Sequence, residues 1–306
     1  MKIFVTGGTG YIGSHTVVEL QKNGYDVIIA DNLVNSSLEV LDGIEKITGI
    51  RPEFEEIDLT DGEVTRDFFA RHSDIRAVIH FAALKAVGES VSKPLEYYFN
   101  NLNSLMNVLT CMREFKVPNL VFSSSCTVYG QADVLPVTEK TPRHEAESPY
   151  GNTKVMSEDI IRDLMRVEPD MKALALRYFN PIGAHPTAFI GELPNGVPNN
   201  LIPYLTQTAI GIREQLSVFG DDYNTPDGSP LRDYIDVVDL AQAHVVAIRR
   251  LLDGKNKKNY EFFNIGTGKA LSVPEIIHAF ERATGVKVNY KVVGRRAGDI
   301  EKVWAD

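Results

Sequence analysis

Apolar residues in the first half of the chain fall into short continuous runs. Between these lie longer stretches where they recur every three or four positions. The runs Ile3-Phe4-Val5, Val27-Ile28-Ile29-Ala30, Phe54 to Ile57, Ala77 to Ala83, Leu120-Val121-Phe122 and Ala173 to Leu176 predict strands buried on both faces. The spacing predicts helices over Ser14 to Asn23, around Leu38 to Thr48, and over Pro94 to Phe115. A further helix starts at Tyr150 and runs through Met156, Ile160, Ile161 and Leu164. Strands separated by crossover helices imply a parallel, doubly wound α/β sheet. From about Asn180 the texture changes. Turn-forming clusters such as Pro194-Asn195-Gly196 and Pro226-Asp227-Gly228-Ser229-Pro230 predict shorter, irregular elements.

The first strand runs into Thr6-Gly7-Gly8-Thr9-Gly10-Tyr11-Ile12-Gly13. Gly7 lets the strand turn sharply, Gly10 lets backbone approach a pyrophosphate, and Gly13 lets helix and strand pack closely. The helix that follows would present free N–H groups and a positive dipole end to the phosphates. The second strand ends at Asp31, 18 residues after Gly13. A carboxylate there suits the adenosine ribose hydroxyls and repels a 2′-phosphate, which favours NAD over NADP. The fold expected is therefore a Rossmann-type doubly wound parallel sheet with a smaller mixed α/β substrate-binding cap. Residues 1–179 form the NAD-binding domain, with returning segments near 232–266, and 180–306 form mainly the cap.

Tyr150-Gly151-Asn152-Thr153-Lys154 lies 25 residues after Ser125. Its phenol and ammonium stand one helical turn apart on one face. Tyrosine titrates near pH ~10, and bringing it to about 7 takes about 4 kcal/mol of differential stabilisation. A buried lysine and a positively charged nicotinamide together favour the phenolate, which makes a general base.

Composition narrows the field. Of 306 residues, 43% are hydrophobic and 24% charged, as in an ordinary globular chain, and the net charge of −9 with no basic cluster argues against nucleic acid. No apolar run reaches membrane-spanning length, and the N-terminus enters a strand directly, so no membrane association and a cytoplasmic setting are expected. Two cysteines, Cys111 and Cys126, predict no disulfide framework. His15, His80 and His185 lack metal-ligand spacing and read as structural, and no metal is expected. Cys126 reads as a small buried residue, and Tyr97, Tyr98 and Phe99 as core or interface.

These segments together resemble the extended short-chain dehydrogenase/reductase family, on its nucleotide-sugar epimerase branch. They are TGGTGYIGSHT at 6–16, HFAALKAVGESV at 80–91, FSSSCTVYG at 122–130, SPYGNTK at 148–154, LRYFNPIGAHP at 176–186, PNNLIPY at 198–204, RDYIDVVDLA at 232–241 and GRRAGD at 294–299. The resemblance covers essentially the whole chain. It implies NAD-dependent, reversible 4-epimerisation of UDP-hexoses through a 4-keto intermediate. Tyr150 would take the C4 hydroxyl proton, directly or through Ser125, and Lys154 would lower the phenol's pKa and hold the nicotinamide ribose. It also implies cofactor contacts from Gly7, Gly10, Tyr11, Ile12, Gly13, Asp31, Asn32, Asp58, Leu59, Phe81, Ala82, Lys85, Asn100, Ser125, Tyr150, Lys154 and Tyr178. Substrate contacts would come from Asn180, Asn200, Leu201, Phe219, Arg232, Tyr234, Arg296 and Asp299. Guanidinium groups suit a diphosphate because each binds two oxygens at once.

Two departures from the family's pattern matter. Relatives continue beyond a Trp-Ala-Asp such as Trp304-Ala305-Asp306, so a shortened C-terminus is expected. Val303 stands where the resemblance puts the wall beside the sugar's 2-substituent. A small residue there implies that UDP-N-acetylhexosamines are also substrates. The resemblance further implies a homodimer built from the helices near 94–115 and 150–166. Rival readings are a nucleotide-sugar 4,6-dehydratase, a UDP-glucuronate epimerase or decarboxylase, and a non-catalytic NAD-binding scaffold. The first needs acid–base carboxylates where Cys126 and Thr127 stand, and the last usually lacks the tyrosine or lysine present here.

Overall fold

The computed structural model describes residues 1–296 and 298–306. Its first half builds β1 (Lys2–Thr6), α1 (Tyr11–Lys22), β2 (Asp26–Asp31), α2 (Glu39–Thr48), β3 (Glu53–Glu56), α3 (Gly62–Arg71), β4 (Ile75–His80), α4 (Val87–Ser92), α5 (Pro94–Glu114), β5 (Asn119–Ser125), α6 (Pro149–Val167) and β6 (Lys172–Tyr178). The remainder builds β7 (Asn180–Ile182), α7 (Leu201–Ala209), β8 (Leu216–Phe219), β9 (Leu231–Asp236), α8 (Val237–Leu252), β10 (Tyr260–Ile265), β11 (Ala270–Ser272), α9 (Val273–Thr284), β12 (Tyr290–Val293) and β13 (Lys302–Val303).

Seven strands form one sheet in the order β10-β6-β5-β4-β1-β2-β3, and every pairing in it is parallel. The continuous apolar runs have a simple cause. Successive side chains of a strand point to opposite faces, and both faces here are covered. In β1, Ile3 and Val5 pack with Val17, Leu20, Leu240 and Ile248 on one side. Phe4 packs with Phe68, Phe69, Leu105 and Leu109 on the other. The chain winds outward from β1 through β2 to β3, then returns to start β4 on the other side of β1. The gap between β1 and β4 is thus the point where strand order reverses.

Beyond β6, β9 pairs with β7, β11 and β13, and β8 pairs with β12. A separate apolar cluster of Leu205, Leu216, Val218, Ile276, Ile277 and Val288 holds the outer part together. Among the described residues no helix is long and apolar enough to cross a membrane.

Several boundaries differ from the pattern reading. The strand expected over Ala77 to Ala83 ends at His80, because the chain leaves the sheet there to pass over Gly7: a Cβ on Gly7 would lie 2.8 Å from the Ala82 nitrogen. Its last apolar residues wall the cleft instead of extending the strand. α1 starts at Tyr11, ahead of the expected Ser14, with Gly10 as N-cap. Two elements carry no clear pattern in the sequence. α3 is set by its Asp61 cap, whose side chain accepts from the Glu63 and Val64 amides. β10 closes the edge of the large sheet beside β6.

The C-terminal strand is tied in by one buried carboxylate. Asp233 of β9 is 0% exposed. It accepts from the Thr267 amide at 2.9 Å, the Thr267 hydroxyl at 2.6 Å, the Gly268 amide at 3.0 Å and the Ala305 amide at 3.2 Å. Replacing it with alanine strands these donors without partners. Asp233→Ala should therefore lower unfolding stability by about 3 kcal/mol or more, seen as a lower urea midpoint with an unchanged m-value.

Candidate active site

Every residue singled out in the sequence as a site candidate lines a single cleft of about 800 Å³ over the β1–β4 gap. The elements deliver them in two groups that face each other across it.

On the sheet side, β1 ends in a turn that only glycine can make. Gly7 sits at φ +67°, and a Cβ on Gly13 would lie 2.2 Å from the Gly7 carbonyl oxygen. A Cβ on Gly10 would lie 3.2 Å from the same oxygen. Tyr11, Ile12 and Gly13 form the first turn of α1, whose Gly10 cap supplies no side-chain acceptor, so backbone amides there are left for an anion. The cradle fits a pyrophosphate: it is bare of side chains where backbone must come close, and its free donors point one way. At the end of β2, the Asp31 carboxylate accepts from the Thr9 amide at 3.3 Å, the Leu33 amide at 2.9 Å and the Ser36 hydroxyl at 3.3 Å. It is thereby fixed at the cleft's edge beside Asn32, where it repels a 2′-phosphate. Asp58 and Leu59 follow β3, and Phe81, Ala82 and Lys85 follow β4, while Asn100 comes from α5. Lys85 donates to Glu192 at 3.1 Å.

The chemical corner lies where β5, β6 and α6 meet. Ser148 caps α6, accepting from the Gly151 amide, and Pro149 occupies the first turn, which places Tyr150 at the helix start with its phenol over the end of β5. Lys154, one turn on, is buried. Its Nζ donates to the Ser123 carbonyl at 2.7 Å and stands 5.8 Å from the Tyr150 ring centre. The Ser125 hydroxyl accepts from the Thr127 amide at 3.2 Å and lies beside the Tyr150 phenol. Tyr178, on β6, is hydrogen-bonded to Ser123.

The electrostatics correct the simple picture of a lysine-activated phenol. Burial, reinforced by Tyr178 and Cys126, raises the Tyr150 phenol above its ordinary value, and the neighbouring Ser125 hydroxyl works against this to a lesser degree. Burial also draws Lys154 down to about 8, against the opposing pull of Glu158. Desolvation therefore dominates at both groups, and protein groups alone do not make a base at neutral pH. Cys126 is pushed up to about 11 by burial, as an inert thiol would be. His80 is driven down to about 3 and is neutral, hydrogen-bonded through Nδ1 to Thr6 at 2.9 Å.

On the opposite side stand Asn180, Asn200, Leu201, Phe219, Tyr234 and a cationic cluster. Asp299 accepts from Arg232 at 3.2 Å and from Arg296 at 2.8 Å, so one carboxylate orients two guanidiniums and leaves further N–H donors on each. Arg296 also lies 5.6 Å above the Phe219 ring. Val303 is 1% exposed and closes the wall beside Cys126, Phe179 and Ile300.

Two carboxylates at or behind the site carry no motif in the sequence. Glu192 lies in an irregular Gly- and Pro-rich stretch, yet it takes both the Lys85 ammonium and the Asn200 amide. Glu158 is paired with Arg177 beneath the serines of β5. Its spacing of four from Lys154 was the only available signal.

Comparison with known proteins agrees with this geometry. The family described as the NAD dependent epimerase/dehydratase family matches residues 3–266. The UDP-glucose 4-epimerase of Bacillus subtilis (strain 168) is 51% identical over 306 residues, which cover 100% of this chain and 89% of that protein. The crystal structure of UDP-glucose 4-epimerase from Bifidobacterium longum in complex with NAD+ and UDP superposes with a TM-score of 0.96 at 46% identity, covering 100% of this chain and 90% of that one. The UDP-glucose-4-epimerase from Stenotrophomonas maltophila, with bound NAD and formylated UDP-arabinopyranose, superposes at 0.94 with 47% identity over 100% of this chain and 90% of that one. With the glycine cradle and the tyrosine–lysine corner lining one cleft, the match over residues 3–266 places the chain: it belongs to the NAD dependent epimerase/dehydratase family.

Proposed function

We propose that this protein interconverts UDP-hexoses with their C4 epimers, using a resident NAD. The observation that carries this reading is that Tyr150, Ser125 and Lys154 line one cleft together with the glycine cradle and the Arg232–Asp299–Arg296 cluster. That arrangement suits a cofactor on one side, a nucleotide diphosphate on the other, and a carbinol between them. NAD, when bound, supplies the reversible two-electron acceptor and a positive charge beside the phenol. Gly7, Gly10 and Gly13 with Tyr11 and Ile12 would cradle its pyrophosphate. Asp31 and Asn32 would take the adenosine ribose. Asp58, Leu59, Phe81, Ala82, Lys85, Asn100 and Tyr178 would line the rest of its length.

The protein's own groups then handle the proton. Tyr150 takes it from the C4 hydroxyl, directly or through Ser125, and later returns it to the same oxygen once the ring presents its other face. Lys154, anchored on the Ser123 carbonyl, steadies the negative charge on the phenol. Arg232 and Arg296 grip the diphosphate, Asp299 and Asn200 orient the nucleotide end, and Asn180, Leu201, Phe219 and Tyr234 wall it in. Val303 borders the sugar. Its small side chain leaves room for a 2-acetamido group, so the reading extends to UDP-N-acetylhexosamines.

Assembly is part of the reading. Leu95 and Phe99, 79% and 63% exposed, share one face of α5 with the exposed Met106, and Met156 is exposed on the adjoining α6. An apolar stripe of this kind fits a two-fold homodimer through α5 and α6. Cys111 and Cys126 are both buried and unpaired, which suits a reducing cytoplasm.

The direct test is proton NMR of UDP-galactose, and separately of UDP-N-acetylglucosamine, mixed with the purified protein and no added NAD. Both should show new anomeric signals from their 4-epimers. Tyr150→Phe should slow turnover by about 10²–10⁴-fold while leaving UDP affinity in place. Retained turnover in that variant would sink the mechanism. Val303→Tyr should cut the ratio of N-acetylglucosamine to glucose substrate activity by about tenfold or more, and an unchanged ratio would remove Val303 from the specificity argument. Phe99→Glu places a charge in the apolar stripe and should shift light-scattering mass from dimer to monomer.

A further inference from the structure

Glu158 and Arg177 have no part in the chemistry proposed above, yet they lie directly behind it. Glu158 stands one turn beyond Lys154 and two beyond Tyr150, on the same inward face of α6. It is 2% exposed and Arg177 3%. The carboxylate is fully used. Oε1 accepts from the Ser124 hydroxyl at 2.6 Å and from Arg177 Nε at 2.8 Å, and Oε2 accepts from Arg177 Nη2 at 2.5 Å. Ser124 and Arg177 are direct neighbours in the β5–β6 ladder, so one side chain ties α6 to two strands at one level. Arg177 is held in turn. Its Nη1 donates to the Tyr129 hydroxyl at 3.0 Å, that hydroxyl donates to Asn264 at 2.7 Å, and the guanidinium lies 3.9 Å above the Phe262 ring.

The clamped residue sits between the two that matter for the reaction. Ser123 offers its carbonyl to the Lys154 ammonium, and Ser125 faces the Tyr150 phenol. Any slip of α6 along β5 therefore changes both contacts at once. Ion pairs buried this deeply are often no more stabilising than apolar residues of the same volume, because both charges must be stripped of water. Stability alone is a weak reason to keep one here. Geometry is a better one.

We propose that Glu158 is a positioning residue for the reaction: by clamping Ser124 and Arg177 together it fixes where Tyr150 and Lys154 stand against Ser125. The proposal rests on the epimerase reading above. A charge effect accompanies it. Glu158 is the carboxylate whose field supports the Lys154 ammonium. The other ionisable groups packed around that corner bring no anion near neutral pH. Burial holds His80 of β4 neutral and pushes Tyr178 of β6 up to about 12 and Cys126 up to about 11. Tyr150 on α6, Tyr97 on α5 and Tyr260 on β10 are likewise raised by burial, Arg177 is cationic, and the Arg143 guanidinium lies 3.7 Å from Glu158 Oε2.

The test compares Glu158→Gln and Ser124→Ala with wild type as NAD-loaded protein. It measures kcat and KM for UDP-galactose across pH, UDP affinity by calorimetry, and urea stability. Glu158→Gln keeps the shape and loses the charge. Its kcat should fall about tenfold to a hundredfold, as expected for a small misplacement of reacting groups, with KM and UDP affinity unmoved. The alkaline limb of kcat should move to lower pH, because an ammonium without its carboxylate gives up its proton sooner. Ser124→Ala loosens the clamp and keeps the charge, so kcat should fall with the alkaline limb in place. A Glu158→Gln protein of lower stability but wild-type kcat and pH profile overturns the proposal. If that variant fails to fold, wild-type kcat in Ser124→Ala overturns it. Absence of turnover in the wild-type chain sinks the epimerase reading and this proposal with it, whereas turnover there with unchanged kcat in both variants sinks the proposal alone.

Discussion

A parallel sheet covered by helices on both faces leaves only its strand ends free to meet a ligand, and the placement of this site follows from that constraint. The apolar side chains of β1, β2, β4 and β5 are consumed in two apolar layers. Reactive or polar groups must therefore come from the last residue of a strand or the first residues after it. Gly7, Asp31, Asp58, Phe81, Ser125 and Tyr178 all do so. The reversal of strand order between β1 and β4 then opens a crevice at those ends, since the connections on either side lead away from each other. The backbone contact between Gly7 and Ala82 marks the floor of that crevice, and it forbids a side chain at position 7.

The same constraint explains what could be read from the sequence. Continuous apolar runs arise only when both faces of a strand are buried, so the parallel sheet was legible without any long-range information. The glycines were legible because steric exclusion acts within a few residues: Gly13 must be small because of Gly7, six positions earlier. Tyr150 and Lys154 were legible because a helix brings i and i+4 together. Groups defined by distant contacts were not. Asp233 reads as one acid in a strand until Thr267, Gly268 and Ala305 close over it. Glu192 joins Lys85 to Asn200 across separate loops, and no local pattern announces it. α3 escaped because its apolar face is short, and its Asp61 cap is conspicuous only once the turn is known.

The charge balance of the corner was legible in kind but not in sign. Residue types suggested a lysine that lowers a phenol's pKa. Burial reverses the outcome, because removing both groups from water penalises the phenolate and the ammonium alike. The protein supplies a precisely held pair whose ionisation waits on a further positive charge. Under the proposed reading that charge arrives with the cofactor, so the base is competent only when its electron acceptor is in place. Such coupling protects a buried phenolate from standing idle. It also makes Glu158 more than a structural acid, since its charge opposes the desolvation that lowers the Lys154 pKa.

Under the proposed reading, the cleft holds nucleotide and sugar by different physics, and the difference suits an epimerase better than a dehydrogenase. Asp299 preorients Arg232 and Arg296, so directional, charge-assisted bonds would meet the diphosphate without further ordering. For the sugar, the wall would be Val303, Cys126, Phe179 and Ile300, which offers contact without direction. A hydrogen bond to a hexose hydroxyl would favour one face of the ring over the other, and each such preference would add to the barrier for presenting the second face. An apolar wall imposes no such preference. Re-forming the C4 carbinol on either face requires a firm grip on the diphosphate and a loose one on the ring, and the cleft meets both demands with directional charges and an undirected apolar wall side by side: Val303 pairs with Arg232 in the β13–β9 ladder.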